Sequence, residues 1–458
     1  MYLILNVGFA FLTGMYSSYT FLYLKYLLLS VGGIETTVLN DLLIILATSM
    51  LLEFIAEPIT GDWADTYGRK RIIASAFLAQ AVAFLVYWSL SIHNVLHVLT
   101  GSERRAIVAL ACGAEFAFAM SAALFNGALD AWFVDELLIV NGPKADALQP
   151  FFSIQRRWFG GFMLLGGTTS LLVAKVAFGH AVPEHRRASP WLIATVLALL
   201  MGLYVASYLN EHRQKSDNSE PAARRIWSRF GRTMRVPNLR RSLLICSALY
   251  TCWICFLYLV PVLLSEEDIV RHAGPFRFIV VNYTCYYVIV GLGRFLGPYL
   301  SNRFRLGRDV ATQFRNWGTL NCTILGVAGT LFYLNSPVCS FAPQSVREYL
   351  VPLALILLIA TKVSEEAFKP VRATYLNSLI PDSTDRAFVL SMATPFGAIV
   401  VVLGIVVLTV STRLFEASRE ALVSIPALFV FLGLIGISSI AWLSRPAVIP
   451  RDTSEDIS

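Results

Sequence analysis

"GDWADTYGRKR", residues 61–71, stands between two long apolar runs and decides how the rest of the sequence is interpreted. The stretch contains two aspartates and ends in three consecutive cations. An ionised side chain placed at the centre of a bilayer costs roughly 2.5–3.5 kcal/mol on insertion scales, so this stretch does not belong in hydrocarbon. We interpret it as a short hinge that joins two membrane-spanning helices.

The composition supports a membrane protein throughout. Of the 458 residues, 56% are hydrophobic and only 15% are charged, whereas soluble domains have about 25% charged residues. Apolar stretches of roughly twenty residues recur along the chain, each long enough to cross a hydrocarbon core of ~30 Å as a helix. The sequence predicts an all-α, multi-pass membrane protein.

Twelve spans are predicted, and a longer connection at 210–239 divides them six and six. The spans are 3–27, 37–60, 71–93, 107–132, 151–178, 190–209, 240–264, 277–300, 312–335, 349–374, 386–411 and 420–444. We predict an N-terminal bundle at 1–209, a basic amphipathic linker at 210–239, a C-terminal bundle at 240–444 and a tail at 445–458. The start, "MYLILNVGFAFLTGM", is expected to be a retained span rather than a signal peptide.

The distribution of basic residues predicts the orientation. Of 37 lysines and arginines, 24 fall in the segments on the side of the hinge and 11 on the opposite side, while Arg294 and Lys362 lie within spans. Because basic residues accumulate in cytoplasmic loops, we expect both termini in the cytoplasm and the protein in the cell membrane. The same distribution accounts for the net charge of +7 without a nucleic-acid partner.

The linker contains a basic amphipathic segment at 224–235. Ile226, Trp227, Phe230 and Met234 fall near one helical face, and four arginines largely occupy the other. A helix of this kind lies in the headgroup layer of an anionic membrane. We expect it to tether the two halves to the membrane surface.

A faint internal repeat relates the two halves. Residues 57–70 align with 297–309 through Pro58 and Pro298, and residues 128–137 resemble 370–379. The offsets of the two matches are 240 and 242 residues, about half the chain. Nearly equal offsets indicate two parallel six-helix halves, as in transporters that rock about a central site.

The hinge carries a recognisable pattern, GxxxDxxGR[KR][KR], at Gly61, Asp65, Gly68, Arg69, Lys70 and Arg71. At this place in the topology the pattern resembles the signature between spans two and three of the major facilitator superfamily. Thr66 departs from it, because an arginine usually follows the aspartate. The glycines permit tight turns, and the three cations hold the hinge in the cytoplasm.

The resemblance implies a fold, a mechanism and a latch. The fold is two pseudo-symmetric six-helix bundles around an alternating-access cavity. In the latch, Asp65 docks on the amino end of span eleven, here residues 381–388, and favours the outward-facing state. Asp130 resembles the acid that joins the latch through Arg69. The alternative is that these charges only fix the topology.

Acidic residues at membrane depth are the proton-coupling candidates: Glu53, Glu57, Glu115, Glu365 and Glu366. Glu53 and Glu57 share a helical face and either pair with Arg156 and Arg157 or share a proton. Glu115 either carries a proton or is a structural acid whose partners satisfy it. These alternatives stay open at the level of sequence.

The resemblance places spans one, four, seven and ten around the central cavity. The candidates for its wall are Lys362, Asn6, Tyr16, Asn126, Tyr250, Trp253 and Arg294. Lys362 either meets an anionic substrate group or a switching proton partner, or it forms a self-neutralising pair with Glu366, four residues later.

Several chemistries are not indicated. The sequence contains no P-loop, no HExxH pair and no GxSxG elbow, so we expect no enzyme activity, cofactor or metal.

We expect a monomer that exports a small organic compound in exchange for protons. The alternatives are a proton symporter that imports an anionic nutrient, and a receptor or scaffold that does not transport. Span five lacks the Gly-Pro signature of many exporters, although it contains the glycine pairs 160–161 and 166–167.

Overall fold

The computed structural model describes residues 1–30, 35–90, 103–141, 148–177, 188–209, 222–246, 249, 283–335, 344–380 and 386–392. Within these ranges every regular element is a helix. The helices are α1 (Tyr2–Ser30), α2 (Glu35–Tyr67), α3 (Arg69–Ser89), α4 (Glu103–Asn141), α5 (Leu148–Ala177), α6 (Ser189–Tyr208), α7 (Ala222–Arg235), α8 (Tyr283–Arg303), α9 (Val310–Asn335), α10 (Gln344–Leu379) and α11 (Arg386–Ser391). Residues 237–246 are also helical and begin the predicted seventh span.

Helices α1 to α6 form the first half. Helix α1 packs on α5, α4 packs on α2 and α3, and α6 packs on α3. Large aromatic residues fill the core between them, and Trp191 is stacked on both Phe84 and Tyr87. In the second half, α10 packs on both α8 and α9, and Phe314 contacts Phe368 in its core. All of these elements lie close to the predicted spans.

The outer faces of the helices are apolar. On α6, for example, Val196, Leu200 and Leu203 are each at least 50% exposed. Contiguous apolar surface of this kind is unfavourable in water but matches lipid. Among the described residues, α3, α4 and α6 are each long and apolar enough to cross a bilayer. The chain is a multi-pass membrane protein.

The hinge is much shorter than the sequence predicts. Helix α2 continues through Pro58 and ends only at Tyr67, and α3 starts at Arg69. The break is the single residue Gly68, whose φ of 95° is readily adopted only by glycine. The prediction that Gly61 forms a turn is wrong, because Gly61 lies inside α2.

Gly61 instead permits close contact between the two halves. A Cβ at this position would lie 2.8 Å from Ser391 Oγ and 3.0 Å from Phe388 Cα, both on α11. Helix α4 approaches α11 in the same way, since a Cβ on Gly127 would lie 2.3 Å from Ser391 Oγ. Helix α5 packs on α8 and α10. We call the end of the bundle that contains Gly68 and α7 the hinge end.

The basic linker forms the predicted helix, α7, but it packs on protein. Its apolar residues Ile226, Phe230 and Met234 pack against the core of the second half. Arg225 and Arg229 are buried, because they pair with acids of α2 described below. The prediction that α7 only tethers the two halves to the membrane surface therefore needs correction. The face with Arg225 and Arg229 lies against the protein, while Trp227 is 71% exposed.

Candidate functional site

A cavity of about 250 Å³ lies between the two halves. Helices α1, α2, α4 and α5 supply one wall, and α8 to α11 supply most of the other. Its lining includes nine charged side chains: Glu53, Glu57, Asp130, Arg156, Arg294, Glu365, Glu366, Lys369 and Arg372. Aromatic rings from Phe9, Phe118 and Phe159 lie among them. The cavity is therefore both highly charged and partly apolar.

At the hinge end, Asp65 joins the two halves. Its Oδ2 accepts a hydrogen bond from the backbone N–H of Phe388 in α11, at 3.4 Å. Its carboxylate also lies 3.5 Å from Arg69 and 3.6 Å from Arg229. Asp65 thus meets the start of α11 at Phe388, within the segment that the resemblance suggests, while Ser383 and Thr384 lie outside the described residues.

The acid that pairs with Arg69 is Asp135, not Asp130. Arg69 Nη1 donates to Asp135 Oδ2 at 2.6 Å, and Arg386 of α11 donates to the other oxygen. Asp130 lies more than one turn earlier on α4, where Tyr2 donates to it at 2.8 Å. The sequence could have suggested Asp135 only if the depth of α4 relative to α3 had been known.

A second contact at the hinge end was not expected. Asp62 is fully buried and accepts two hydrogen bonds from Arg225 of α7, at 2.8 and 2.6 Å. Arg229 donates to it as well, at 3.0 Å. The paired geometry fits the fork of an arginine on a carboxylate, so α7 is fixed to α2. Nearby, Gln149 donates to Gln313 across the halves at 2.9 Å.

The charged stripe predicted on α10 is present and internally paired. Lys362 Nζ lies 2.7 Å from Glu365 and 3.0 Å from Glu366. Lys369 Nζ lies 2.7 Å from Glu365 and 2.8 Å from Glu366. Arg294 of α8 donates to Glu366 at 3.1 Å. Two acids therefore hold three cations in one cluster.

Two predicted members of the cavity wall lie elsewhere. Lys362 is completely buried under the α10 cluster and is not part of the cavity lining. Asn6 is buried, and it exchanges hydrogen bonds with Gln155 of α5 at 3.3 and 3.2 Å. Tyr16, Asn126 and Arg294 do line the cavity. Tyr250 and Trp253 lie outside the described residues.

Glu57 is 3% exposed, yet in the described part of the chain no hydrogen bond or salt bridge reaches its carboxylate. The arginines expected to neutralise Glu53 and Glu57 have other neighbours. Arg156 lies 4.0 Å from Asp130, and Arg157 stacks over Phe295 of α8, 5.1 Å from the ring centre. Arg372 is the positive charge that acts on Glu57 from the opposite wall.

Glu115 has different surroundings. Tyr16 and Tyr87 both donate to its Oε1, Tyr87 at 2.5 Å. The side chain is 4% exposed and is not part of the cavity lining. These contacts match the alternative of an acid that its partners satisfy. Its role in proton transfer stays a prediction.

The fold resembles several solved membrane transporters. A bacterial homologue of the iron transporter ferroportin, solved in an outward-facing state with soaked iron, has a TM-score of 0.64 at 15% identity, over 96% of this chain and 98% of that one. The Escherichia coli fucose:proton symporter has a TM-score of 0.60 at 15% identity, over 96% of this chain and 98% of that one. The human organic anion transporter MFSD10 has a TM-score of 0.61 at 13% identity, over 95% of this chain and 98% of that one.

These structures are transporters of the major facilitator superfamily, and the similarity covers nearly the whole chain. The predicted fold class is therefore confirmed: the chain has the major facilitator fold. No protein-family model matches the sequence, and no curated protein matches it either.

Proposed function

We propose that this protein is a secondary active transporter that works by alternating access and exports a small organic solute in exchange for protons. The observation that carries the proposal is the position of Glu57 on the wall of a cavity between two halves, where its buried carboxylate has no bonded partner among the described residues. A buried, unpaired carboxylate is costly as an anion, and binding either a proton or a positively charged ligand removes that cost.

Competition for one carboxylate leads to exchange. If the proton and the solute both use Glu57, the cavity holds one or the other but not both. The change between the inward-facing and outward-facing states is disfavoured when the cavity is empty and Glu57 is ionised, because its charge then stays unpaired at membrane depth. Inward movement of a proton is then coupled to outward movement of a solute molecule.

Eight other charged side chains line the same cavity as Glu57. They are Glu53 on α2, Asp130 on α4, Arg156 on α5, Arg294 on α8, and Glu365, Glu366, Lys369 and Arg372 on α10. The positive charge of Arg372 attracts the Glu57 carboxylate, whereas the negative charge of Glu53 repels it. Import of an anion through Lys362 and Arg294 has less support, since both cations are already paired with acids.

The contacts at the hinge end support a gate. Asp65, Asp135 and Gln149 each bond to the second half, so the halves must separate here for solute to pass at this end. We infer that the conformation described is the one closed at the hinge end. With the hinge in the cytoplasm, as the basic residues favour, it is the outward-facing state.

A reconstituted preparation tests the proposal. The purified full chain is placed in liposomes that contain a pH-sensitive dye, and amino acids, sugars, nucleosides and organic anions are added outside in turn. Under the proposal, a transported solute makes the lumen more alkaline, because protons leave as the solute enters. An acidic shift would instead indicate symport.

The Glu57→Gln variant should abolish the alkaline shift, because glutamine cannot exchange a proton. Maleimide labelling of a cysteine introduced at the hinge end reports whether this end opens. If no solute moves protons and the labelling finds the hinge end closed at every pH, the transport proposal is contradicted. A receptor or scaffold would then be favoured.

A further inference from the structure

The charges around the cavity are divided between its two walls. The first half contributes three acids and one base, Glu53, Glu57, Asp130 and Arg156. The second half contributes four bases and two acids, Arg294, Lys362, Lys369, Arg372, Glu365 and Glu366, with Lys362 directly behind the wall. With all lining groups ionised, the first wall has a net charge of −2 and the second of +1, and Lys362 behind the second wall adds one more positive charge. A ligand between them experiences a field across the cavity.

Most of these charges are already paired. The α10 cluster holds Arg294 and Lys369 on Glu365 and Glu366, and Arg156 lies near Asp130. Two cavity-lining groups differ. Within the described residues, no hydrogen bond or salt bridge reaches the carboxylate of Glu57 on α2 or the guanidinium of Arg372 on α10.

Glu57 and Arg372 belong to opposite walls and do not bond to each other, although Arg372 acts electrostatically on Glu57. A single molecule with a cation at one end and an anion at the other would pair both. A carboxylate can accept two parallel hydrogen bonds from the arginine fork, and an ammonium group can donate to Glu57. The phenyl rings of Phe9, Phe118 and Phe159 would contact the apolar body of the ligand.

We infer that the cavity binds a small zwitterion of the amino-acid type, with its ammonium group on Glu57 and its carboxylate on Arg372. This inference rests on the proposed transport function and names its substrate class. A simple amine would leave Arg372 unpaired, and a simple carboxylate would leave Glu57 unpaired. The first omission leaves the half-buried Arg372 without a partner, and the second leaves the buried Glu57 without one. Each of these costs affinity. The volume of about 250 Å³ is below the roughly 300–1,000 Å³ of drug-sized sites, which favours a small ligand.

Matched probes separate the two charges. Phenylalanine is compared with phenethylamine, which lacks the carboxylate, and with 3-phenylpropionate, which lacks the amine. Leucine is compared with 3-methylbutylamine and 4-methylpentanoate in the same way. The melting temperature of the purified full chain is measured against the concentration of each probe, since a ligand of the native state raises it.

At least one of the zwitterions should stabilise the chain at concentrations about tenfold or more below those of its own singly charged analogues, the loss expected from one charged hydrogen bond. Glu57→Gln and Arg372→Gln should each remove that preference. Glu57→Gln should not weaken the response to the carboxylate, and Arg372→Gln should not weaken the response to the amine. Arg308→Gln, in an exposed loop, is the matched control.

The inference is overturned if neither zwitterion stabilises the chain, if singly charged analogues act as well, or if the preference survives in both variants. Maleimide labelling at the hinge end on the same preparation separates this result from a failure of transport. Labelling that changes with pH while the zwitterions have no effect rejects the substrate class alone. Labelling that never changes, together with the absence of solute-driven proton flux, rejects the transport proposal itself.

Discussion

Two buried acids of the first half, Glu57 and Glu115, illustrate how neighbours decide the role of a carboxylate. Both are less than 5% exposed. Glu115 accepts hydrogen bonds from Tyr16 and Tyr87, so its charge is satisfied in place. Glu57 faces the cavity without a bonded partner among the described residues. We therefore expect the same residue type to support structure at one position and to bind ligand or proton at the other.

Substituting each acid by glutamine should separate these roles. We expect Glu57→Gln to keep or raise the melting temperature, because an uncompensated buried charge is removed, while solute-driven proton flux is lost. Glu115→Gln should lower the free energy of unfolding by about 1–3 kcal/mol, because hydrogen bonds to a charged acceptor are replaced by weaker neutral ones. Thermal unfolding in detergent and dye-loaded liposomes provide the two measurements. Equal behaviour of the variants in both assays would contradict the distinction.

Between elements, small residues determine how closely helices of the two halves approach. A Cβ on Gly160 of α5 would lie 2.6 to 2.9 Å from the Cβ and backbone atoms of Arg294 on α8. A Cβ on the adjacent Gly161 would lie 3.9 Å from Phe295, an ordinary contact. Of these two glycines, Gly160 is therefore the one that permits close packing against the opposite half.

Alanine at these adjacent positions should have opposite effects. Gly160→Ala should destabilise the chain by about 1–3 kcal/mol, because backbone atoms of α8 cannot move aside without repacking. Gly161→Ala should stabilise it by up to about 1 kcal/mol, because alanine loses less conformational entropy in a helix. Thermal unfolding of the two variants measures both values. A loss of stability in Gly161→Ala as large as in Gly160→Ala would show that the tight contact is not the cause.

The start of α9 depends on one exposed acid outside the spans. The backbone N–H of Thr312 donates to Asp309 Oδ1 at 2.7 Å, and the Thr312 hydroxyl donates to Oδ2 at 2.9 Å. These bonds favour the ionised carboxylate and lower the pKa of Asp309. A group with a lowered pKa stabilises the fold above its unfolded pKa, and the contribution disappears as the pH falls through the folded value.

Asp309→Ala should therefore cost about 0.5–1 kcal/mol at neutral pH, the lower part of the range for a helix N-cap. The difference from the parent chain should shrink below about pH 4, where aspartate becomes protonated. Asp309→Asn is the matched control, because it keeps the cap but does not titrate. Unfolding curves at several pH values give the comparison. A difference between parent and alanine variant that is constant with pH would contradict the account.

At the scale of the whole molecule, hydropathy was sufficient to predict an all-α membrane protein and most of the helix bounds among the described residues, because lipid permits few alternatives to a long apolar helix. The major facilitator fold was predicted from the resemblance of the hinge pattern. The hinge was the exception: α2 continues through it to Tyr67, and charge alone does not end a helix. Contacts between distant helices, such as Asp62 with Arg225 or Asp135 with Arg386, depend on the relative depth of elements, which a local pattern does not contain. The α10 stripe could be predicted because its spacing lies within one helix.

The contact of α4 with α11 offers a direct test of the gate. An ideal Cβ on Gly127 would lie 3.6 Å from Ser391 Cβ, within the range of about 3.5–4.5 Å that a disulfide joins. The double variant Gly127→Cys, Ser391→Cys should therefore form a disulfide under mild oxidation. Since the bond joins the two halves at the hinge end, alternating access should stop.

The oxidised double variant should show no solute-driven proton flux, and a reducing agent should restore it to the level of the reduced protein. The single variants Gly127→Cys and Ser391→Cys control for the added thiols and should be insensitive to oxidation. Mass spectrometry of the peptide pair measures the extent of the disulfide. Full transport by protein in which this disulfide is complete would show that the halves do not need to separate here, and the alternating-access mechanism would have to be abandoned.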